Sequence, residues 1–490
     1  MSSHEHLTLT TLIRFAEEGG TLPFTDTTAM TAAHDFAVEA VDTVPIYGRS
    51  TGVGANKSVD LAESNSIDQD LRLLRSHAVG AGDLVDDETV RMAMAIRVNQ
   101  LLQGGSGISA DVVDALRTHL DEGHRPVIHE VGSLGTGDLS QMAELALTLT
   151  GEKPTADGTA RALWTPHGGD ALPFISSNAF TLATAARAVA EVDRFIDHCV
   201  RIAAASMKVA GANLEPFAAA VQTARPEPGQ KEAATRILDA IGPSSWEARR
   251  LQDTFGFRAI TPVLSTLLTA RSRLAEAVET EMNASPENPL VDVDSAWIYH
   301  NGNFHTQQLM IELEATTLAL FGVAQLSYDR TTRLSEPDIT GLEPFLSDST
   351  PGSSGIMMAE YVTASALNEL RIQAQPASLS NVVVSRGSED HAPFTAQAAR
   401  QLLTGLEQAR RVLAVELLGA SRGVAMAEAE RTEISGTNAG PTASAPFLDY
   451  LALAPIDPTI TDRSLSDDIA ALERFVATDL KTLRSKDMAS

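Results

Sequence analysis

The chain has 490 residues, 43% of them hydrophobic and only 5% aromatic, with a formal net charge of −27 and a single cysteine. So large a negative charge weighs against nucleic acid and anionic membranes as partners, because like charges repel. One cysteine, Cys199, excludes an intramolecular disulfide and suits the cytosol.

The start, MSSHEHLTLTTLIRF, lacks the basic segment and apolar core of a secretory signal. No run of roughly 18 apolar residues is evident to span a bilayer. A cytoplasmic protein with no membrane and no nucleic-acid partner is expected. Further along, the acidic start Asp86-Asp87-Glu88 precedes Val90, Met94, Val98 and Leu101, which fall on one helical face. The Ala-rich segment 179–210 predicts a closely packed helix, and 224–231 (ARPEPGQK) an exposed connection. Residues 309–326 are apolar nearly all round, the pattern of a helix buried among others. Leu402, Leu406, Leu413 and Leu417 predict a helix over about 395–423, and 436–446 (GTNAGPTASAP) a second exposed connection. Glycine clusters at 48–54, 79–82, 104–107, 132–137, 168–169 and 352–355 interrupt the helices, since glycine permits backbone that side chains forbid. There is no internal repeat and no alternating pattern long enough for a major sheet. The expectation is an all-α fold, a long helix bundle with a loop-rich N-terminal site region. Residues 1–200 would form that region, and 201–490 the central bundle and C-terminal helices of one continuous domain.

Four groups of residues carry the chemistry. The first is Tyr47-Gly48-Arg49-Ser50-Thr51-Gly52-Val53-Gly54, and the second Ser76-His77-Ala78-Val79-Gly80-Ala81-Gly82 with Gly105-Ser106-Gly107. The third is Gly132-Ser133-Leu134-Gly135-Thr136-Gly137-Asp138-Leu139. The fourth comprises Gln252-Asp253-Thr254-Phe255-Gly256-Phe257-Arg258, Asn288-Pro289-Leu290, Gly302-Asn303-Phe304-His305 and Glu389-Asp390-His391. In order and spacing they resemble the aromatic amino acid lyase superfamily of histidine and phenylalanine ammonia-lyases, over about residues 45–425. The resemblance implies an ammonia-lyase-like bundle, a carbon–nitrogen lyase, and a homotetramer in which three subunits contribute to each active site. That family builds an electrophile, a methylidene-imidazolone (MIO), by cyclising and dehydrating Ala-Ser-Gly. Here the surrounding motif is one residue shorter. With Thr136-Gly137-Asp138 as the triplet, the central glycine has no side chain to become an alkene. With Gly135-Thr136-Gly137, the alkene carries a hindering methyl. The expectation from sequence is no cofactor.

An amine that departs unaided must be a good leaving group, and a quaternary ammonium is one. The chain is in this respect similar to ergothionase-like betaine lyases. The expected substrate is a small imidazole-type amino acid or betaine, trimethylhistidine or its 2-thio analogue, giving trimethylamine and an imidazolyl acrylate. The resemblance assigns the residues. Tyr47 matches the catalytic tyrosine and is the expected base. A free phenol titrates at about 10, so Arg49 and Lys57 on the same loop are expected to supply positive charge. Arg258 matches the arginine that clamps the substrate carboxylate with its guanidinium fork. Phe255 stands where a functional tyrosine is common, and with Phe304 offers an aromatic face to a cation. Asn178 and Gln252 match amides that order substrate or loops. His77, Glu389 and Met357 resemble the ring contacts of the histidine enzymes, with Glu389 bonding or protonating the imidazole. Thr136 would place a hydroxyl in the vacated prosthetic space, and Asp138 would cap the helix that follows it. His124, His129, His305 and His391 show no metal-ligand spacing, so no metal is expected. Cys199 sits in a helical pattern and is expected to pack. Three alternatives stay open: a histidine-type ammonia-lyase or aminomutase with a modified group from Gly135-Thr136-Gly137, an isomerase or cyclase on the same scaffold, and a non-catalytic binding protein.

Overall fold

The structure is a computed structural model, described over residues 6–20, 26–61, 67–244, 246–380, 382–435, 445–457 and 459–487. Helices dominate, in keeping with the all-α expectation. Among the described residues the strands form two short antiparallel ribbons, Ala81–Leu84 with His129–Val131 and Leu290–Asp292 with Trp297–Tyr299. The predicted helices stand as Asp87–Leu102, Ala179–Ala210, Gln307–Leu334 and Thr395–Ser435. Most of the 436–446 connection lies outside the described residues.

The chain divides into two compact units, each assembled from three stretches. The first comprises Met1–Ala188, Leu274–Leu313 and Pro376–Arg400; the second Val189–Arg273, Glu314–Gln375 and Gln401–Ser490. The expected division at residue 200 does not coincide with them. It falls inside the helix Ala179–Ala210, and two later stretches return to the first unit.

In the first unit the helix Asp87–Leu102 starts at Asp86, whose carboxylate accepts the Thr89 N–H at 3.0 Å. A single buried face was expected, but the helix is buried almost all round, its polar residues Arg97, Asn99 and Gln100 included. A buried guanidinium needs a partner. Arg97 finds Glu287 at 3.1 Å and also bonds the Pro173 carbonyl. Asn99 donates to the Met282 carbonyl at 2.7 Å. These bonds fix the stretch 282–289, which leads into the second ribbon.

Asp138 does not cap the helix Leu139–Leu149 that follows it. Its buried carboxylate instead accepts the backbone N–H and the hydroxyl of Thr181, both at 2.7 Å, in the first turn of Ala179–Ala210. The acid thus caps a helix distant in sequence. Sequence proximity suggested the wrong partner.

In the second unit small residues bring helices close. A Cβ on Gly423 would lie 2.6 Å from a methyl of Val209. Arg330 makes two bonds to Glu416, at 2.6 and 2.8 Å, and a third to the Gly256 carbonyl at 3.0 Å. Cys199 is buried, and burial pushes its thiol up to about 12, so it packs as expected and carries no thiolate. Among the described residues one helix, Gln307–Leu334, is by length and composition apolar enough to cross a membrane, where none was expected. Leu309, Met310, Leu313, Leu320, Val323 and Ala324 along it are buried, as in a core helix.

Glu287→Ala leaves Arg97 charged and unpaired inside the protein, and should cost about 3–5 kcal/mol of stability in urea unfolding. The double replacement Arg97→Met with Glu287→Leu should cost less than that single change. Equal or greater loss in the double variant would show that the pair stabilises by more than mutual neutralisation.

Candidate active site

A cavity of about 500 Å³ opens in the first unit. Tyr47, Lys57, Thr136, Phe304 and Glu389, all expected site residues, line it together with Asn288, His300, Asn301 and Ser388.

The Tyr47 loop is tied at several points. Its phenol oxygen accepts the Gly54 N–H at 2.6 Å, and its backbone N–H donates to His300 Nε2 at 3.3 Å. The Ala55 N–H donates to the Ser385 hydroxyl at 3.0 Å. Gly48, at φ 78°, lies so close to Leu172 that a Cβ would meet its Cδ2 at 2.1 Å. Only glycine allows that approach.

Arg49 corrects an expectation. Its guanidinium is buried, bonds the Gly107 carbonyl and lies 3.9 Å from Asp170. It is spent on holding loops and does not line the cavity. Nor is the phenol of Tyr47 acidified. Burial pushes its pKa above the ordinary value, the Gly54 N–H draws it back in part, and the Glu389 charge raises it again.

The turn 133–138 forms the wall at Thr136. The Gly135 carbonyl lies 3.2 Å from the Thr306 N–H and 2.8 Å from its hydroxyl, two donors on one oxygen. The Gly137 N–H donates to Asn178 Oδ1 at 3.0 Å, and the same amide donates to the Phe304 carbonyl at 2.8 Å. Asn178 therefore orders the loops. A Cβ on Gly135 would stand 2.7–2.9 Å from Thr395 and Pro393, so alanine has no room there.

The remaining expected residues fall elsewhere. His77 ends the helix Ile67–His77 with Nδ1 2.9 Å from the Leu73 carbonyl, and does not line the cavity. Gln252, Phe255, Arg258 and Met357 belong to the second unit. There the Arg258 guanidinium stacks 4.7 Å over the ring of Phe255, which is 66% exposed. Arg258 Nε is buried and makes no hydrogen bond among the described residues. Sequence reasoning missed His300, Ser385 and Thr306. The signal for two of them was their place beside Gly302-Asn303-Phe304-His305, but no letter in that motif names their bonds.

With the phenol above its ordinary value of about 10, kcat/KM should still be rising at pH 10 if Tyr47 is the base, since that ratio reports the free protein. Glu389→Gln removes a negative neighbour, lowers the phenol pKa and should move this limb to lower pH. A profile flat from about pH 7 to 10 would remove Tyr47 as the base.

The aromatic amino acid lyase family model matches residues 7–444. Histidine ammonia-lyase from Geobacillus kaustophilus is 31% identical over 450 residues, covering 88% of this chain and 87% of that protein. A probable histidine ammonia-lyase from Halobacterium salinarum is 32% identical over 469 residues, covering 89% and 87%. Among solved structures, ergothionase from Treponema denticola superimposes with a TM-score of 0.88 at 22% identity over 98% of both chains, a likeness of fold. Histidine ammonia-lyase from Trypanosoma cruzi gives 0.85 at 25% identity over 98% of this chain and 94% of that one. These relatives correct the expectation of no cofactor, because they point to the MIO group of the family. The residues fit such a group in the register Gly135-Thr136-Gly137. The Gly135 carbonyl is polarised by two donors, the Gly137 nitrogen is held by Asn178, and Thr136 brings a hydroxyl to the cavity. An alanine methyl at Gly135 would meet Thr395 and Pro393 in this turn. Similar along nearly nine-tenths of its length to histidine ammonia-lyases, the chain is a carbon–nitrogen lyase and belongs to the aromatic amino acid lyase family.

Proposed function

We propose that the chain eliminates the α-amine from a small imidazole-bearing amino acid to give an imidazolyl acrylate. The observation that carries this reading is the presence of the Tyr47 phenol and the Glu389 carboxylate on one cavity wall system with Thr136 and Phe304. The names of the relatives at 31% and 32% identity support an imidazole substrate. Tyr47 takes the β-proton, the electron pair of that C–H bond forms the new double bond, and the Cα–N pair departs with the amine. Glu389 accepts a hydrogen bond from the imidazole N–H, and Phe304 packs on the ring. A group formed at Gly135-Thr136-Gly137 would supply an electrophilic alkene, bearing a methyl contributed by Thr136.

A second reading takes a trimethylated histidine betaine, or its 2-thio analogue, and releases trimethylamine. It is favoured by Phe304, an aromatic ring on the cavity wall with no hydroxyl to bond an N–H, which offers its face to a cation. The homotetramer belongs to the same proposal. Leu251 at 85% exposed and Leu379 at 84% are apolar side chains that assembly would cover. So does a cytoplasmic location, which suits one buried, reduced cysteine.

Purified protein incubated with histidine, trimethylhistidine, its 2-thio analogue and phenylalanine should yield acrylate absorbance from an imidazole substrate and none from phenylalanine. The amine released, ammonia or trimethylamine, decides between the two readings. Tyr47→Phe should lower kcat by at least about 100-fold while the thermal midpoint stays put. Full activity in that variant, or no turnover of any imidazole substrate, overturns the proposal.

Intact mass reports on the 135–137 turn directly, without any substrate. A cyclised and dehydrated turn makes the chain two waters lighter than its translated sequence, and Thr136→Val should restore the full mass. An unshifted wild-type mass would mean a linear turn.

A further inference from the structure

Two histidines that the proposed reaction does not use meet beside the cavity. His305 Nε2 and His391 Nδ1 lie 2.9 Å apart, with ring centroids at 5.0 Å and planes 28° apart. His305 directly follows Phe304, and His391 comes two residues after Glu389. Their bond therefore joins the two loops that present Phe304 and Glu389 to the cavity.

Glu389 needs such an anchor. It is exposed, so packing alone does not fix its carboxylate. Its loop is also strained. Ser385 and Arg386 hold φ of 50° and 56°, and Phe394 58°, in the left-handed region that side chains disfavour. Such conformations persist where the surroundings over-determine them. At the loop ends, the Val384 N–H donates to the Glu389 carbonyl at 2.9 Å, and the Phe394 N–H to the Leu134 carbonyl at 2.8 Å. The Ser385 hydroxyl accepts from Ala55. Between these ties, the histidine pair makes a side-chain bond two residues along the chain from Glu389.

The other partner is well placed to hold it. The His305 N–H donates to the Gly302 carbonyl at 3.1 Å, Asn178 holds the Phe304 carbonyl, and Thr306 is bonded to Gly135 and Thr395. One nitrogen of the pair must carry a proton and the other a lone pair. The bond therefore survives with two neutral rings or with one protonated ring.

We infer that His305 and His391 form a positioning clasp that sets the Glu389 carboxylate against the ring of an imidazole substrate. This rests on the reading that Glu389 binds that ring.

The test is a variant series on the full chain, with the imidazole substrate that is turned over and with circular dichroism to check folding. His391→Phe keeps a stacking ring but removes the bond, and should raise KM about tenfold with kcat changed less than about threefold. His391→Asn, whose amide can bond His305, should recover most of that loss. In a Glu389→Gln background, itself raised in KM, His391→Phe should have little further effect. Equal loss in the Asn and Phe variants, or the same factor in both backgrounds, overturns the clasp and leaves the role of Glu389 standing. An unchanged KM in Glu389→Gln alone overturns that role, and the clasp with it.

Discussion

The hydroxyl and N–H of Thr306 converge on one buried carbonyl, that of Gly135, and much of the site geometry depends on this. A buried carbonyl has to be satisfied, and here the donors come from a segment 171 residues further along the chain. Fixing Thr306 fixes its neighbours. Within the six positions before it, His300 receives the Tyr47 N–H, the Phe304 carbonyl receives Asn178, and His305 meets His391. One short segment thus registers the Tyr47 loop, the Thr136 turn and the Glu389 loop against each other. Each of those loops is rich in glycine or left-handed backbone, and none would hold its shape on local preference alone.

The electrostatics of the cavity run against the simplest mechanism. Arg49 is turned inward to Gly107 and Asp170, and Glu389 adds negative charge near the phenol of Tyr47. An empty site therefore keeps Tyr47 protonated at neutral pH. A cationic substrate changes that balance, because an ammonium within about 4–6 Å favours the phenolate. On the proposed reading of Tyr47 as the base, the phenol would lose its proton only when substrate is present, with Lys57 on the same wall as a fixed contribution. Both a protonated amino acid and a quaternary betaine bring the needed charge, so this coupling serves either leaving group.

What the sequence made legible follows from how local each role is. The helices could be read because their periodicity is local, and Ala179–Ala210 was predicted to the residue. Tyr47, Thr136, Phe304 and Glu389 were legible because each sits in a motif whose letters travel together. Several of the misreadings concern partners. Asp138 was given the adjacent helix and instead holds Thr181, 43 residues away. Arg49 was given the neighbouring phenol and instead holds Gly107, 58 residues away. His300 and Ser385 escaped notice because their bonds reach across 253 and 330 residues. A charge or hydroxyl announces that it will need a partner, but the fold chooses which one.

The shortened turn is a case where packing and chemistry can be separated. At Gly135 the constraint is steric: a methyl would press on the Thr395 hydroxyl and backbone nitrogen and on the Pro393 ring. Thr395 is itself bonded to Thr306, so relief of that contact would disturb the carbonyl donors. At Thr136 the side chain faces the cavity, where serine would differ by one methyl and no neighbour need move. Restoring alanine at the first position would therefore act on the scaffold, whereas exchanging threonine for serine at the second would act on reactivity. Beside the loss of one residue, the departure from Ala-Ser-Gly is two substitutions with different physical consequences. Only the one at Thr136 bears on what the substrate meets.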